Sequence, residues 1–299
     1  MENIWDWGLD IIRIFQTLQS PFLTAVVKFI TNLGAGPAYI ILLCIIMWTV
    51  DYTKGFRLGF VLLFSASINN AAKSYLNVPR PYTRDPSVGL STESSSSTPS
   101  GHSQNSAAFW SHFAYLNPKL KKAFALSIAF VIPLLIGLTR IYLGVHYPTD
   151  VLMGWGIGFA VSIYAILFAP LVTPLLNRLP KIIKILTAAL LVVLFNSLSP
   201  EDTSMQAALF GLCLGFILLC EDKGFKAKSG TAVQKIIRAI LGIAVVAALY
   251  YGLKAVFPGE DSAQYQAFRF IRYGLVGFFT SFVMPKFFIL IKTAEPLQE

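Results

Sequence analysis

The sequence predicts an all-α membrane protein, a polytopic transmembrane helical bundle with about nine spans. Three observations predict it. Hydrophobic residues make up 55% of the 299, and mean hydropathy is +0.64. Charged residues are only 13%, against about 25% in a soluble domain. The apolar residues gather in runs approaching the roughly 20 that cross a bilayer as a helix.

At the N-terminus, Glu2, Asp6 and Asp10 stand where a secretory signal would be basic, and no small-residue cleavage site follows, so this segment is expected to remain in the mature protein. Ile4, Trp5, Leu9, Ile12, Phe15 and Leu18 fall near one helical face, with Asp6, Asp10, Arg13 and Gln16 elsewhere. That pattern suits a helix lying among lipid headgroups, and equally an amphipathic helix packed on the protein. Spans are expected at 37–50, 56–72, 101–116, 122–142, 149–171, 181–198, 204–220, 234–257 and 267–291. The first run is short, and residues 22–33 are apolar as well. The chain then divides into an N-terminal amphipathic segment (1–36), a membrane core carrying the motifs below (37–171) and a C-terminal four-span region (172–299).

A net charge of +9 would raise nucleic acid as a partner for a soluble protein, but here topology explains it and no nucleic acid is expected. Under the nine-span reading, 15 of the 24 Lys and Arg residues fall on one side, among them Lys119, Lys121, Lys122, Arg178, Lys226 and Lys228. The positive-inside rule makes that side cytoplasmic. The C-terminus then lies inside, while the 73–100 loop and the 140–150 turn face the periplasm, extracellular space or lumen of a plasma or inner membrane. Cys44, Cys213 and Cys220 sit in apolar spans without a CxxC pair and read as small core hydrophobes. Pro79, Pro81 and Pro86 exclude helix from the loop that carries the serine run 94–97.

Three short stretches at the edges of apolar runs carry the chemistry. A phosphoryl group in transfer spreads negative charge over its non-bridging oxygens, so catalysis needs fixed donors around them. Lys73, Arg80 and Arg140 supply these, Arg as a planar fork and Lys as a point charge. Thr98-Pro99-Ser100-Gly101-His102 reads as a helix start: Thr98 caps, Pro99 takes the first helical position, Gly101 allows close approach, and Ser100 adds a hydroxyl donor. His146 and Asp150 are four apart, so the carboxylate can fix the tautomer of the ring and free its other nitrogen as a nucleophile. Asp150 could alternatively cap the helix begun at Pro148. His102 is then available to protonate the leaving oxygen. His112, ten residues on, lies about 15 Å further along the same helix and receives no role.

With these residues named, the chain resembles the type 2 phosphatidic acid phosphatase superfamily, in its integral membrane lipid phosphate phosphatase branch. The motifs match in order and spacing: Lys73 to Arg80-Pro81, then Pro99-Ser100-Gly101-His102, then Arg140 to His146 to Asp150, with Thr139 where the pattern has Ser. The match covers residues 73–150. The resemblance implies a helical bundle, a phosphohistidine intermediate, and neither metal nor cofactor. By it, His146 is the nucleophile, Asp150 its orienter and His102 the acid, while Lys73, Arg80, Ser100, Gly101 and Arg140 hold phosphate.

An outward site at the interface suits a lipid whose chains stay in the bilayer: phosphatidate, a sphingoid phosphate or an isoprenyl diphosphate. The span count keeps a glucose-6-phosphatase-like sugar phosphatase as an alternative, and lipid phosphotransfer to an alcohol is another. A transporter or lipid-binding scaffold on the same core is the non-enzyme reading, for which Asp222, Lys254, Arg269 and Arg272 provide charges in or beside the membrane. Arg84 reads as a contact for a second phosphate or as a solvated loop cation, and Tyr142 and Tyr147 as interfacial anchors.

Overall fold

The computed structural model describes residues 2–297, and its regular elements are all helical. The chain forms α1 (Glu2–Gln16), α2 (Pro21–Leu33), α3 (Gly36–Ile45, extended by a π turn to Val50), α4 (Tyr52–Leu76) and a single turn, α5 (Pro81–Arg84). There follow α6 (Gly101–Leu116), α7 (Lys122–Tyr142), α8 (Pro148–Arg178), α9 (Lys181–Leu198), α10 (Ser204–Glu221), α11 (Ala232–Val256), α12 (Tyr265–Phe278) and α13 (Met284–Leu290), the last two joined by a π turn. The prolines thus leave room for α5, because Pro81 occupies its first position, where no N–H is needed.

Among the described residues, six helices are long and apolar enough to cross a membrane: α7 to α11 and the joined α12–α13. The pair α2–α3, bent by 50°, has the composition of a broken span or a re-entrant loop and brings the count to seven if it is one span, which would then take in residues 22–33 as well as 37–50. Two expected spans, 56–72 and 101–116, correspond to α4 and α6 and fall outside this count. The cause is polarity in α4, and in α6 polarity together with a length of 16 residues. Ser65, Ser67 and Asn69 on α4, and Ser103, Gln104 and Ser106 on α6, are buried in the protein, which removes the need for apolar residues there.

The chain separates into two compact units, residues 1–39 with 68–169 and residues 40–67 with 170–299. In the first, Leu9 and Ile12 of α1 are buried against Ile141, Tyr147 and Val151. The middle of the apolar stripe of α1 therefore covers protein, as in the packing alternative, while Ile4 and Leu18 at its ends are exposed. Tyr142 and Tyr147 are core residues rather than interfacial anchors: both are buried, and the Tyr142 hydroxyl meets Thr24 Oγ1 at 2.9 Å. α8 approaches α6 at Gly154 and Gly158, where a Cβ would lie 2.6 Å from the Ser100 carbonyl oxygen and 2.2 Å from that of Gln104. Only glycine permits that contact.

In the second unit, Trp48, Tyr52, Leu212, Phe225, Met284 and Phe288 form the core. The π turn after α12 offers carbonyls to side chains, Thr280 accepting from Trp48 Nε1 at 2.9 Å and Ser281 from the Tyr52 hydroxyl at 2.6 Å. Cys44 and Cys213 are buried as expected, whereas Cys220 is exposed near the end of α10. Three of the four C-terminal charges have partners: Asp222 pairs with Lys286, Arg269 with Asp202 at 3.0 Å, and Arg272 lies over the rings of Tyr250 and Tyr273.

Candidate active site

The site lies wholly in the first unit, where one end of α4, α6, α7 and α8 converges. Lys73 is in the last turn of α4, which stops at Leu76 because Asn77 turns the chain through a left-handed conformation, φ +42°. Arg80 follows in extended backbone as the residue before α5. Arg140 is in the last turn of α7, and Asp150 in the first turn of α8.

Between them, Gly144 sets the position of His146. Its φ is +65°, and a Cβ there would lie 1.8 Å from the Val88 carbonyl oxygen, so no side chain fits. The turn folds the chain back on α7, with Val145 N–H donating to the Arg140 carbonyl at 3.3 Å. His146 is thereby buried between two groups. Its Nδ1 is 3.4 Å from Asp150 Oδ2, and its Nε2 is 3.2 Å from Arg80 Nη1. Arginine can only donate, so Nε2 must accept; the proton then resides on Nδ1, facing the carboxylate. Burial holds the imidazole below its ordinary range, with the Asp150 hydrogen bond acting in the opposite direction. A neutral ring with its lone pair on an unprotonated Nε2, beside a cation, is the state that a nucleophile for phosphorus requires.

Asp150 both orients His146 and caps α8. Its Oδ2 accepts from Tyr147 N–H at 2.9 Å and from the Ser97 hydroxyl at 2.5 Å, and its Oδ1 accepts from the Thr98 hydroxyl. Thr98 is thus spent on Asp150 rather than on α6. The helix start shifts with it: Ser100 is the cap of α6, its Oγ accepting from Ser103 N–H at 3.4 Å, and Pro99 precedes the helix instead of opening it. Ser100 N–H donates to the Asp150 backbone carbonyl at 3.0 Å, which ties the α6 and α8 starts together. At Gly101 a Cβ would come within 3.1 Å of Asn69 Oδ1. His102, half-buried in the first turn of α6, stands in the field of Arg140, His146, Arg80 and Lys73. His112 is buried farther along α6.

Residues the motifs did not single out complete the site. Lys73 Nζ donates to the carbonyls of Ser96 and Ser97. Arg80 Nε donates to the Ser95 carbonyl at 2.6 Å and Nη1 to that of Val145 at 2.8 Å. Arg140, itself buried, donates to Thr31 Oγ1 at 2.8 Å and to the carboxylate of Glu93. Glu93 is pinned by Tyr82, whose hydroxyl donates to its carbonyl at 2.8 Å and accepts from its N–H at 3.1 Å. The serine run, expected as a plain polar loop, therefore lines the site, and Glu93 places an anion on a cation assigned to phosphate. Arg84 is committed elsewhere, over the Trp5 ring at 4.4 Å and 3.9 Å from Asp6. Among the described residues no group of three or more His, Cys, Asp or Glu side chains is placed to hold a metal ion.

Residues 54–174 match the model of the PAP2 superfamily, and residues 203–296 that of the PAP2 superfamily phosphatase transmembrane extension. The chain is 34% identical over 151 residues to phosphatidylglycerophosphatase B of Bacillus subtilis (strain 168), covering 47% of this chain and 72% of that protein. It is 37% identical over 124 residues to a lipid A 1-phosphatase of Rhizobium johnstonii, covering 38% of this chain and 48% of that relative. The crystal structure of a transmembrane PAP2 type phosphatidylglycerolphosphate phosphatase from Bacillus subtilis superposes with a TM-score of 0.50 at 29% identity, over 57% of this chain and 88% of that one.

Proposed function

The chain belongs to the PAP2 superfamily and is an integral membrane protein, and on that premise we propose that it hydrolyses the phosphate ester or diphosphate of a membrane lipid through a phosphohistidine on Nε2 of His146. The observation that carries this reading is the placement of His146 between the Asp150 carboxylate on one ring nitrogen and the Arg80 guanidinium on the other. The Nε2 lone pair attacks phosphorus, a P–N bond forms as the ester P–O bond breaks, and protonated His102 gives its proton to the departing oxygen. The positive charge developed on the ring is balanced by Asp150. Water then attacks phosphorus with His102 as base, the P–N bond breaks, and phosphate leaves. Lys73, Arg80 and Arg140 bear the charge of the transferring oxygens, and the amides at the start of α6, with Ser100 and Gly101, form the remaining wall.

Orientation belongs to the same proposal. Lys73 and Arg140 end their helices while His102 and Asp150 begin theirs, so convergence at one site requires α4, α6, α7 and α8 to alternate in direction across the bilayer. Counting α4 and α6 with the seven apolar crossings restores nine, places the site on the side opposite the basic loops, outward, and leaves the C-terminus cytoplasmic. The names of the relatives support a lipid substrate. Purified protein should release phosphate from micelle-bound phosphatidate, sphingoid phosphate or isoprenyl diphosphate at rates well above those for soluble sugar phosphates. Equal or faster turnover of glucose 6-phosphate would overturn the lipid assignment.

A further inference from the structure

At the end of the first unit farthest from His146, the helices enclose a second concavity that the proposed reaction does not use. It is a groove of about 550 Å³ between α6, α7 and α8. Along both α6, from His102 to Ser111, and α8, from Asp150 to Phe159, it begins 9 residues from the site, about 14 Å at 1.5 Å per residue. Leu126, Phe130 and Phe159 make its walls, and Lys122 stands at its mouth. One polar group inside is unsatisfied. Ser162 lines the groove, is 1% exposed, and its hydroxyl has no partner. A buried hydroxyl without a partner costs stability unless something supplies an acceptor.

The depth of that hydroxyl can be read from the packing of α7 on α8. Trp155 Nε1 donates to the Pro133 carbonyl at 3.0 Å, and the rings of Phe130 and Phe159 lie 5.2 Å apart. Continuing this antiparallel register puts Ser162 level with Ser127, five residues or about 7 Å below Lys122. The mouth is strongly basic. Lys119, Lys121 and Lys122 are all exposed, and the sequence has no Asp or Glu anywhere from residue 94 to residue 149.

We propose that this groove holds an acyl chain of an anionic phospholipid from the leaflet on the lysine side, with the phosphate of the headgroup against Lys119, Lys121 and Lys122. An ester carbonyl lies below a headgroup at about the level of the Ser162 hydroxyl, which a turn of its side chain would present to the groove, and the chain continues between Leu126, Phe130 and Phe159. Charge selects the lipid: lysines held near a surface attract anionic lipid by about 1 kcal/mol each, and this mouth has no carboxylate to offset them. Because α6, α7 and α8 also carry His102, Arg140 and Asp150, the bound lipid fastens together the helices that form the reactive site.

The test uses the purified full-length protein in detergent, with 1-palmitoyl-2-oleoyl phosphatidylglycerol or the phosphatidylcholine of the same chains added to the micelles. Phosphatidylglycerol should raise the unfolding midpoint about 3 °C more than phosphatidylcholine, and native mass spectrometry should retain one bound phosphatidylglycerol. The K119Q/K121Q/K122Q variant should lose that difference and the retained lipid. Ala125→Trp, which fills the groove and keeps all three lysines, should lose the retained lipid as well. Equal stabilisation by both lipids overturns the charge selection. Retention of phosphatidylglycerol by the triple variant overturns the location of the headgroup, and its retention by Ala125→Trp overturns the groove. A dimer in the wild type that Ala125→Trp dissociates would assign the groove to a second copy of the chain instead.

Discussion

Arg80 Nη1 lies 3.2 Å from Nε2 of His146, so the cation assigned to the substrate phosphate also fixes which imidazole nitrogen carries the proton. One residue thus both attracts the anion and keeps the attacking nitrogen unprotonated, and its guanidinium has to pass from that lone pair to the phosphate oxygens before attack. Asp150 completes the arrangement from the other side of the ring.

His146→Ala should abolish phosphate release, since Nε2 of His146 is the nitrogen that Asp150 and Arg80 hold unprotonated for attack. Activity should fall below about one percent of wild type, at least about 2.7 kcal/mol of barrier. Acid-labile phosphate trapped on the wild-type protein should be missing from the variant, and retention of the trapped species would assign the nucleophile to another residue.

Glu93→Gln should tighten inhibition by inorganic phosphate and vanadate by about tenfold, roughly 1.4 kcal/mol, because the carboxylate now on Arg140 competes with them for the guanidinium. Inhibition constants measured side by side check this. Weaker inhibition in the variant would mean that Glu93 positions Arg140 for phosphate instead of competing for it.

The acid limb of kcat/KM should fall below the ordinary imidazole pKa of about 6.5. The sign follows from burial, which lowers the pKa of His146 and keeps the ring neutral as pH drops. Asp150→Asn should lower that limb further, since its carboxylate is what opposes burial, and should reduce kcat as well. An Asp150→Asn limb moved upward would contradict the assignment of the group that titrates.

Excess chelator should leave the rate unchanged, because Lys73, Arg80 and Arg140 occupy the role a divalent ion has in other phosphatases. Silencing by chelator with recovery on added magnesium would reject the site as drawn. Arg140→Lys should lose at least about tenfold in kcat/KM despite keeping its charge, since a point charge cannot hold two oxygens as the fork does.

Ser94 is exposed in the loop over the site, and Lys226 is exposed on the basic side. With the native cysteines replaced, a cysteine at position 94 should react with an impermeant thiol reagent in intact cells, and one at position 226 only after lysis. The reverse pattern would place the site toward the cytoplasm.

Composition alone determined that this chain lives in a bilayer, because an excess of apolar residues has no other stable solvent. Motif spacing alone nominated Lys73, Arg80, His102, Arg140, His146 and Asp150, because phosphoryl chemistry restricts which side chains are useful and helix periodicity restricts where they fall. The tertiary structure decided the rest. Glu93 meets Arg140 across 47 residues and Ser97 meets Asp150 across 53, in a loop without periodicity, so no local pattern announces either contact. The start of α6 moved from Thr98 to Ser100 for the same reason: a distant carboxylate outcompeted the local backbone for the threonine hydroxyl. The apolar face of α1 fits a membrane surface and a protein surface equally well, and only the packed neighbours Ile141, Tyr147 and Val151 distinguish them. Polar residues on α4, and polar residues with a length of 16 on α6, keep these two expected spans out of a count by apolar length, since a helix surrounded by other helices does not need to be apolar.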